Sequence, residues 1–172
     1  MTLKRTGIIY AIAFVSILIA VGSALFVGIS GRTLPKESKF VQLFKSHRIE
    51  FDKLRSMLQE DSQLVAVADW GVRMKRSTDS LPAQRYNEYL RLLKQVDGQV
   101  ATRDEGKHAN PSIMIWGWGF AGHTKHLGIC WLDEKPTNQG VTLDGYHGPG
   151  SYGHAIITYR HLETNWYLWT DL

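Results

Sequence analysis

Residues 7–29, GIIYAIAFVSILIAVGSALFVGI, carry no charged side chain over 23 positions. As a helix they span about 34 Å, enough to cross a hydrocarbon core of about 30 Å. A helix this long that lives in water needs a polar face, and this one has no charged or strongly polar stripe. Gly22 and Gly28 are tolerated in a membrane helix, because neighbouring groups re-satisfy the backbone. A cleaved signal peptide has a shorter apolar core, about 7–15 residues, followed by a small-x-small site. Gly28-Ile29-Ser30 matches such a site poorly, and no cysteine closes the run to accept a lipid. The expectation is a retained single-pass transmembrane anchor over residues 1–30. Lys4 and Arg5 precede it, whereas Arg32, Lys36, Lys39 and Lys45 follow it against Glu37 alone. A strict count of basic residues slightly favours a cytoplasmic body. A short basic head before a long apolar run has the pattern of a signal anchor, and on that pattern the body lies outside.

The remaining charge argues for little else. The formal net charge is +4, and much of the excess lies beside the apolar run. No basic stripe interleaved with aromatic residues follows, so nucleic acid is not an expected partner. A single cysteine, Cys130, excludes an internal disulfide framework.

Residues 31–38 read as a linker, with Pro35 stopping the membrane helix, and residues 39–172 as one soluble domain. Phe40, Phe44, His47, Phe51, Leu54 and Leu58 recur at steps of 4, 3, 4, 3, 4, one stripe of an amphipathic helix with Ser38 as its N-cap. The stripe is shorter than the ~3–4 heptads a coiled coil sustains. It is therefore expected to pack on its own domain, with weak dimerisation through helix 39–60 as the alternative. QLVAVADWGV is a short strand or an irregular link. STDSLPAQRYNEYLRLLKQVDG is a second helix, with Ser80 as cap, Pro82 in the first turn and Gly98 at the end. Tyr86, Tyr89, Leu90, Leu93 and Val96 form its apolar face. The C-terminal third then turns to β patterns in SIMIWGW, HLGICWL, HAIITYRHL and NWYLWT, with VTL as a short strand and Glu163-Thr164 joining the last two runs as a hairpin. The expected fold class is α+β: a transmembrane helix, then two amphipathic helices packed on a C-terminal antiparallel sheet.

Three patterns meet in IMIWGWGFAGHTKHLGICW. Gly117, Gly119 and Gly122 match G-x-G-x-x-G, but a dinucleotide fingerprint needs a helix after the glycines. HTKHLGICW is strand-like, so a glycine-rich turn between strands is expected. No cofactor follows from these residues. His123 and His126 form H-x-x-H. With His161 and Glu163 they make the one candidate metal set, which would serve a metal-dependent hydrolase. Cys130 lies about 13 Å along the strand from His126, too far for that base to activate it, and reads as a buried inert thiol. Trp166 and Trp169 differ in parity, so both faces of the last strand carry rings. One face meets the helices, and exposed rings on the other would bind a partner. The candidate binding surface comprises Phe120, His123, Lys125, Tyr146, Tyr152, Trp166 and Trp169.

GWGFAGHTKHLGICWL and YRHLETNWYLWTDL together resemble a group of small bacterial envelope proteins. These share a membrane or lipid anchor and a closing Y-R-H-[IL]-E-x-N-W-Y-L segment, and the group has no assigned activity. The resemblance implies an envelope setting and no chemistry. With the apolar run it leads to an expectation of a non-catalytic domain tethered to the inner membrane, its body in the periplasm, binding a protein partner.

Overall fold

A computed structural model describes residues 35–103, 110–120, 123–136 and 157–171, and within these the backbone alone of 118–120 and 123–124. The anchor expected over residues 1–30 and the short strand VTL fall outside the described residues. Among the described residues no helix is long and apolar enough to cross a membrane.

The apolar stripe folds as two helices, α1 (Glu37–Ser46) and α2 (Arg48–Glu60), not one. The break is at His47, whose φ of -122° and ψ of 30° lie outside the helical region. Phe40, Phe44, Phe51, Leu54 and Leu58 are all buried. The stripe is thus consumed by the domain's own core. The helix starts at Glu37 with Lys36 as N-cap, in place of Ser38. Glu37 is itself buried and paired with Arg160, so the first turn of α1 is held by a charge as well as by its rings.

QLVAVADWGV yields two strands, β1 (Leu64–Ala68) and β2 (Gly71–Met74), joined by a tight turn at Asp69-Trp70. Helix α3 (Ala83–Gln95) follows, with Pro82 as its N-cap. It ends in a Schellman-type arrangement in which Asp97 takes the left-handed conformation (φ 51°) and the Gly98 N–H donates to Leu93 O at 2.8 Å. A Cβ on Gly98 would lie 2.8 Å from Leu93 Cδ2, so that side chain would have to shift to admit it. Tyr89, Leu92, Leu93 and Val96 are buried, whereas Tyr86 is half-buried and donates its hydroxyl to Ala68 O at 3.0 Å. Where α2 ends, Asp61 binds α3 twice: its Oδ2 accepts from Arg85 Nε at 2.8 Å and from the Tyr89 hydroxyl at 2.8 Å. Burial, and then the Asp61 carboxylate, push the Tyr89 phenol above its ordinary range.

The chain continues through β3 (Val100–Arg103), β4 (Pro111–Phe120), β5 (His123–Trp131), β6 (Thr158–Glu163) and β7 (Trp166–Asp171). Among the described residues the seven strands form one antiparallel-paired sheet in the order β2-β1-β3-β4-β5-β7-β6. β4 and β5 pair from Ser112↔Cys130 to Phe120↔His123. Gly117 and Gly119 therefore lie on β4, Gly122 falls outside the described residues, and β5, not a helix, follows. The β6–β7 turn falls at Thr164-Asn165, one residue later than the expected joint, and Thr164 has a φ of 52°.

Register sorts the side chains into two faces. Val67, Ala101, Ile113, Ile129 and Leu168 lie opposite one another across β1, β3, β4, β5 and β7, and all are buried. The helices cover this face. Its centre is Trp166, 0% exposed, with ring centroids 5.6 Å from Phe44, 5.9 Å from Phe51 and 5.6 Å from Trp131. Its indole N–H donates to Asp52 Oδ1 at 3.3 Å. Trp166 is therefore core and not the surface residue its aromatic character suggested; α1 and α2 claim the face on which its parity places it.

Candidate functional site: a cleft on the helix-free face

The opposite face has a hollow because its middle row is small. Thr102, Ser112 and Cys130 face one another across β3, β4 and β5. Larger side chains stand around that floor: Arg73 from β2, Arg103 from β3, Tyr159 from β6 and Trp169 from β7. The result is a cleft of about 430 Å³, also touched by Val65, Asn110, Leu132 and Ile157. That volume falls within the ~300–1,000 Å³ typical of small-ligand sites. Trp169 folds inward because it pairs with Gly128, where a Cβ would come within 2.6 Å of its Nε1.

The polar groups are unevenly satisfied. Arg103 Nη1 donates to Ser62 O at 2.8 Å, which fixes its guanidinium at the rim. Trp169 Nε1 and Asn110 Oδ1 are buried and meet no hydrogen-bond partner among the described residues. Burial pushes the Cys130 thiol well above its ordinary range, so it is held as a neutral thiol, not a nucleophile. The described lining contains two arginines and no aspartate or glutamate.

A second cluster lies at the far end of β5 and β7. Asp171 Oδ1 accepts the backbone N–H of His126, and Oδ2 lies 2.7 Å from His126 Nδ1. A carboxylate on Nδ1 favours the tautomer that leaves Nε2 as the accepting nitrogen. The ring lies over Gly117, where a Cβ would be 3.3 Å from His126 Cδ2.

Of the candidate metal set, His126, His161 and Glu163 do not come together. His161 Nε2 is 2.7 Å from Thr164 O, a carbonyl, so this nitrogen acts as the donor and is not open to a cation. Glu163 pairs with Arg48 at 3.3 Å. His161 lies opposite Tyr167, and His126 opposite Asp171, four residues further along β7, or about 13 Å. No cluster of three or more His, Cys, Asp or Glu able to hold a metal occurs among the described residues, and the His123 side chain lies outside them.

Of the candidate binding surface, Trp169 lines the cleft, Lys125 is exposed elsewhere on β5, and Trp166 is buried. Tyr146, Tyr152 and the Phe120 and His123 side chains fall outside the described residues. Arg73, Thr102, Arg103, Ser112 and Tyr159 were not singled out by the sequence. The signal was parity: Ser112 and Cys130 sit out of phase with the apolar Ile113 and Ile129, but only pairing shows that they share a row. No protein-family model, characterised protein or solved structure matches this chain.

Proposed function

We propose that this chain is a membrane-tethered, non-catalytic binding domain that engages a protein partner of the bacterial envelope through the cleft on the helix-free face of its sheet. The carrying observation is the asymmetry of that sheet. One face is covered by three helices, while the other holds a cleft of about 430 Å³ with a floor of small side chains and two buried polar atoms lacking partners among the described residues. Native proteins satisfy nearly all such atoms, so groups of this kind beside a cavity are suited to a ligand. The uncharged run at residues 7–29 supports the tether. With the body outside, the cleft works in the periplasm. The metal-dependent hydrolase has weaker support, since His161 and Glu163 are engaged elsewhere.

The test uses the full chain in its membrane, with a photo-crosslinking residue at Ile157, beside the cleft, or at Ile49, 80% exposed on α2. A defined product from position 157 and none from position 49 is expected, and the chain should resist carbonate extraction. Equal or absent products at both sites would remove the cleft as the binding face. Release by carbonate would remove the tether.

A further inference from the structure

The strands of the sheet end unevenly, and the longest pair carries an aromatic ribbon. β3 pairs with β4 as far as Val100↔Met114, and β7 with β5 as far as His126↔Asp171. β4 and β5 continue together through Trp118↔Lys125 and Gly119↔Thr124 to Phe120↔His123. His123 lies six residues along β5 from Ile129 in the middle row, so the ribbon reaches about 20 Å beyond that row. Its sequence, WGWGF, places Trp116, Trp118 and Phe120 on one face of β4 and Gly117 and Gly119 on the other. Lys125, which is exposed, stands opposite Trp118. At the same end of the sheet, the turn beyond Ala68↔Gly71 holds Trp70, 71% exposed.

Helix α1 begins toward this end. Glu37 in its first turn pairs with Arg160, which is level with Leu168 and Ile129. Phe44, two turns later, packs on Trp166, level with Trp131 and further from the ribbon. The chain therefore enters α1 from the side on which the ribbon projects. Residues 30–36 separate the uncharged run from α1, and seven residues reach at most about 25 Å, a span close to the ribbon's own reach.

On the reading that residues 7–29 are a membrane tether, we propose that the β4–β5 ribbon and Trp70 rest in the headgroup layer of the same bilayer. Aromatic side chains, tryptophan above all, favour that layer, and a lysine among them keeps its ammonium at the phosphates while its stem lies beside the rings. The outward backbone groups of a two-stranded ribbon need water, which the headgroup layer supplies and the hydrocarbon core does not. The ribbon thus lies in the interface and does not cross. With the strands standing on the membrane, the cleft opens sideways, toward neighbours in the plane of the bilayer.

The experiment places the full chain in phosphatidylcholine vesicles, with and without a nitroxide on the upper acyl chain. The fluorophore nitrobenzoxadiazole is attached at Phe120→Cys or at Ile49→Cys, with native Cys130 buried. Ile49 is 80% exposed at the start of α2, where the neighbouring Arg48 stacks over Trp166 at the opposite end of the sheet. Nitroxide should quench position 120 at least about threefold more than position 49. Trp118→Ser should lower the quenching at 120 by about half, with circular dichroism and flotation with the vesicles unchanged. A chain that floats with the vesicles but is quenched alike at both positions overturns the ribbon contact and leaves the tether standing. A probe at 120 that is blue-shifted yet unquenched means that protein covers the ribbon, from this chain or a second copy, and also overturns the lipid contact. A chain that does not float loses the tether, and the ribbon contact with it.

Discussion

The two faces of the sheet are made from the same strands, yet they solve different problems. On the helix side the rings cluster: Trp166 touches Phe44, Phe51 and Trp131, and Arg48 stacks over Phe44 and Trp166 at 5.3 and 5.6 Å. On the other side Trp169 bends over a glycine, and its N–H has no partner among the described residues. Residues three apart on one strand therefore face opposite ways, one into the packed core and one into the cleft. The sharpest way to break this contrast is to truncate each. Trp166→Ala removes a fully buried ring and should cost about 3–5 kcal/mol. Trp169→Ala, in a half-buried site, should cost about 1–2 kcal/mol and should abolish ligand uptake by the cleft. Urea midpoints of the two variants measure this; equal losses would mean that the cleft is simply a poorly packed second core.

Gly128 tests the boundary between the faces. A Cβ there would meet the Ile113 carbonyl and lie 2.6 Å from Trp169 Nε1. The carbonyl belongs to a paired strand and cannot move far, so the indole must swing into the cleft. Gly128→Ala is expected to cost about 2 kcal/mol and to weaken any cleft ligand as well. A variant as stable as the parent would show that Trp169 has room elsewhere.

Much of the helix side was legible in the sequence, because burial against helices leaves a period. The spacing from Phe40 to Leu58 marked its buried face, Leu127 and Ile129 alternated as expected, and the α+β class followed from helical runs before β runs. The helical break was not legible: His47 continues the stripe, and only its dihedral angles interrupt it. Strands β2 and β3 are four residues each, too short for alternation to speak. The open face was least legible. Its residues are small or polar, Arg73 and Trp169 are far apart in the chain, and their shared cleft depends on the strand order. The His126–Asp171 pair joins residues 45 apart, a contact that local spacing does not encode.

Alkaline titration reads both faces at once. Cys130 lies on the cleft side, and burial raises its thiol above the ordinary value of 9.0. Tyr89 lies in the helix layer, and burial with Asp61 raises its phenol above 10.0. In both cases the folded chain keeps a proton that the unfolded chain releases, so stability is intact below the ordinary value and falls as pH rises beyond it. The expected loss is about 1.4 kcal/mol per pH unit from Cys130 above pH 9, joined by a similar slope from Tyr89 above pH 10. Urea midpoints between about pH 8 and pH 11 should show two breaks. Cys130→Ala should erase the first and Tyr89→Phe the second. A single break that survives Cys130→Ala would mean that the cleft floor admits water.

The smallest effect is expected where the two faces meet at the sheet edge. Glu163 pairs with Arg48 at 3.3 Å, with side-chain exposures of 56% and 27% in the order Glu163, Arg48. Arg48 also pairs with Asp52 and rests on the Phe44 and Trp166 rings, so it keeps its place without Glu163. Glu163→Gln should therefore cost about 0.5 kcal/mol or less, as exposed ion pairs do. Arg48→Ala should cost more, because it uncovers the rings and strands Asp52 beside the Trp166 N–H. If Glu163→Gln instead costs as much as Arg48→Ala, the carboxylate has a partner beyond Arg48. Metal titration of the two variants would then separate a structural partner from a cation: a cation held by Glu163 is lost in Glu163→Gln and retained in Arg48→Ala.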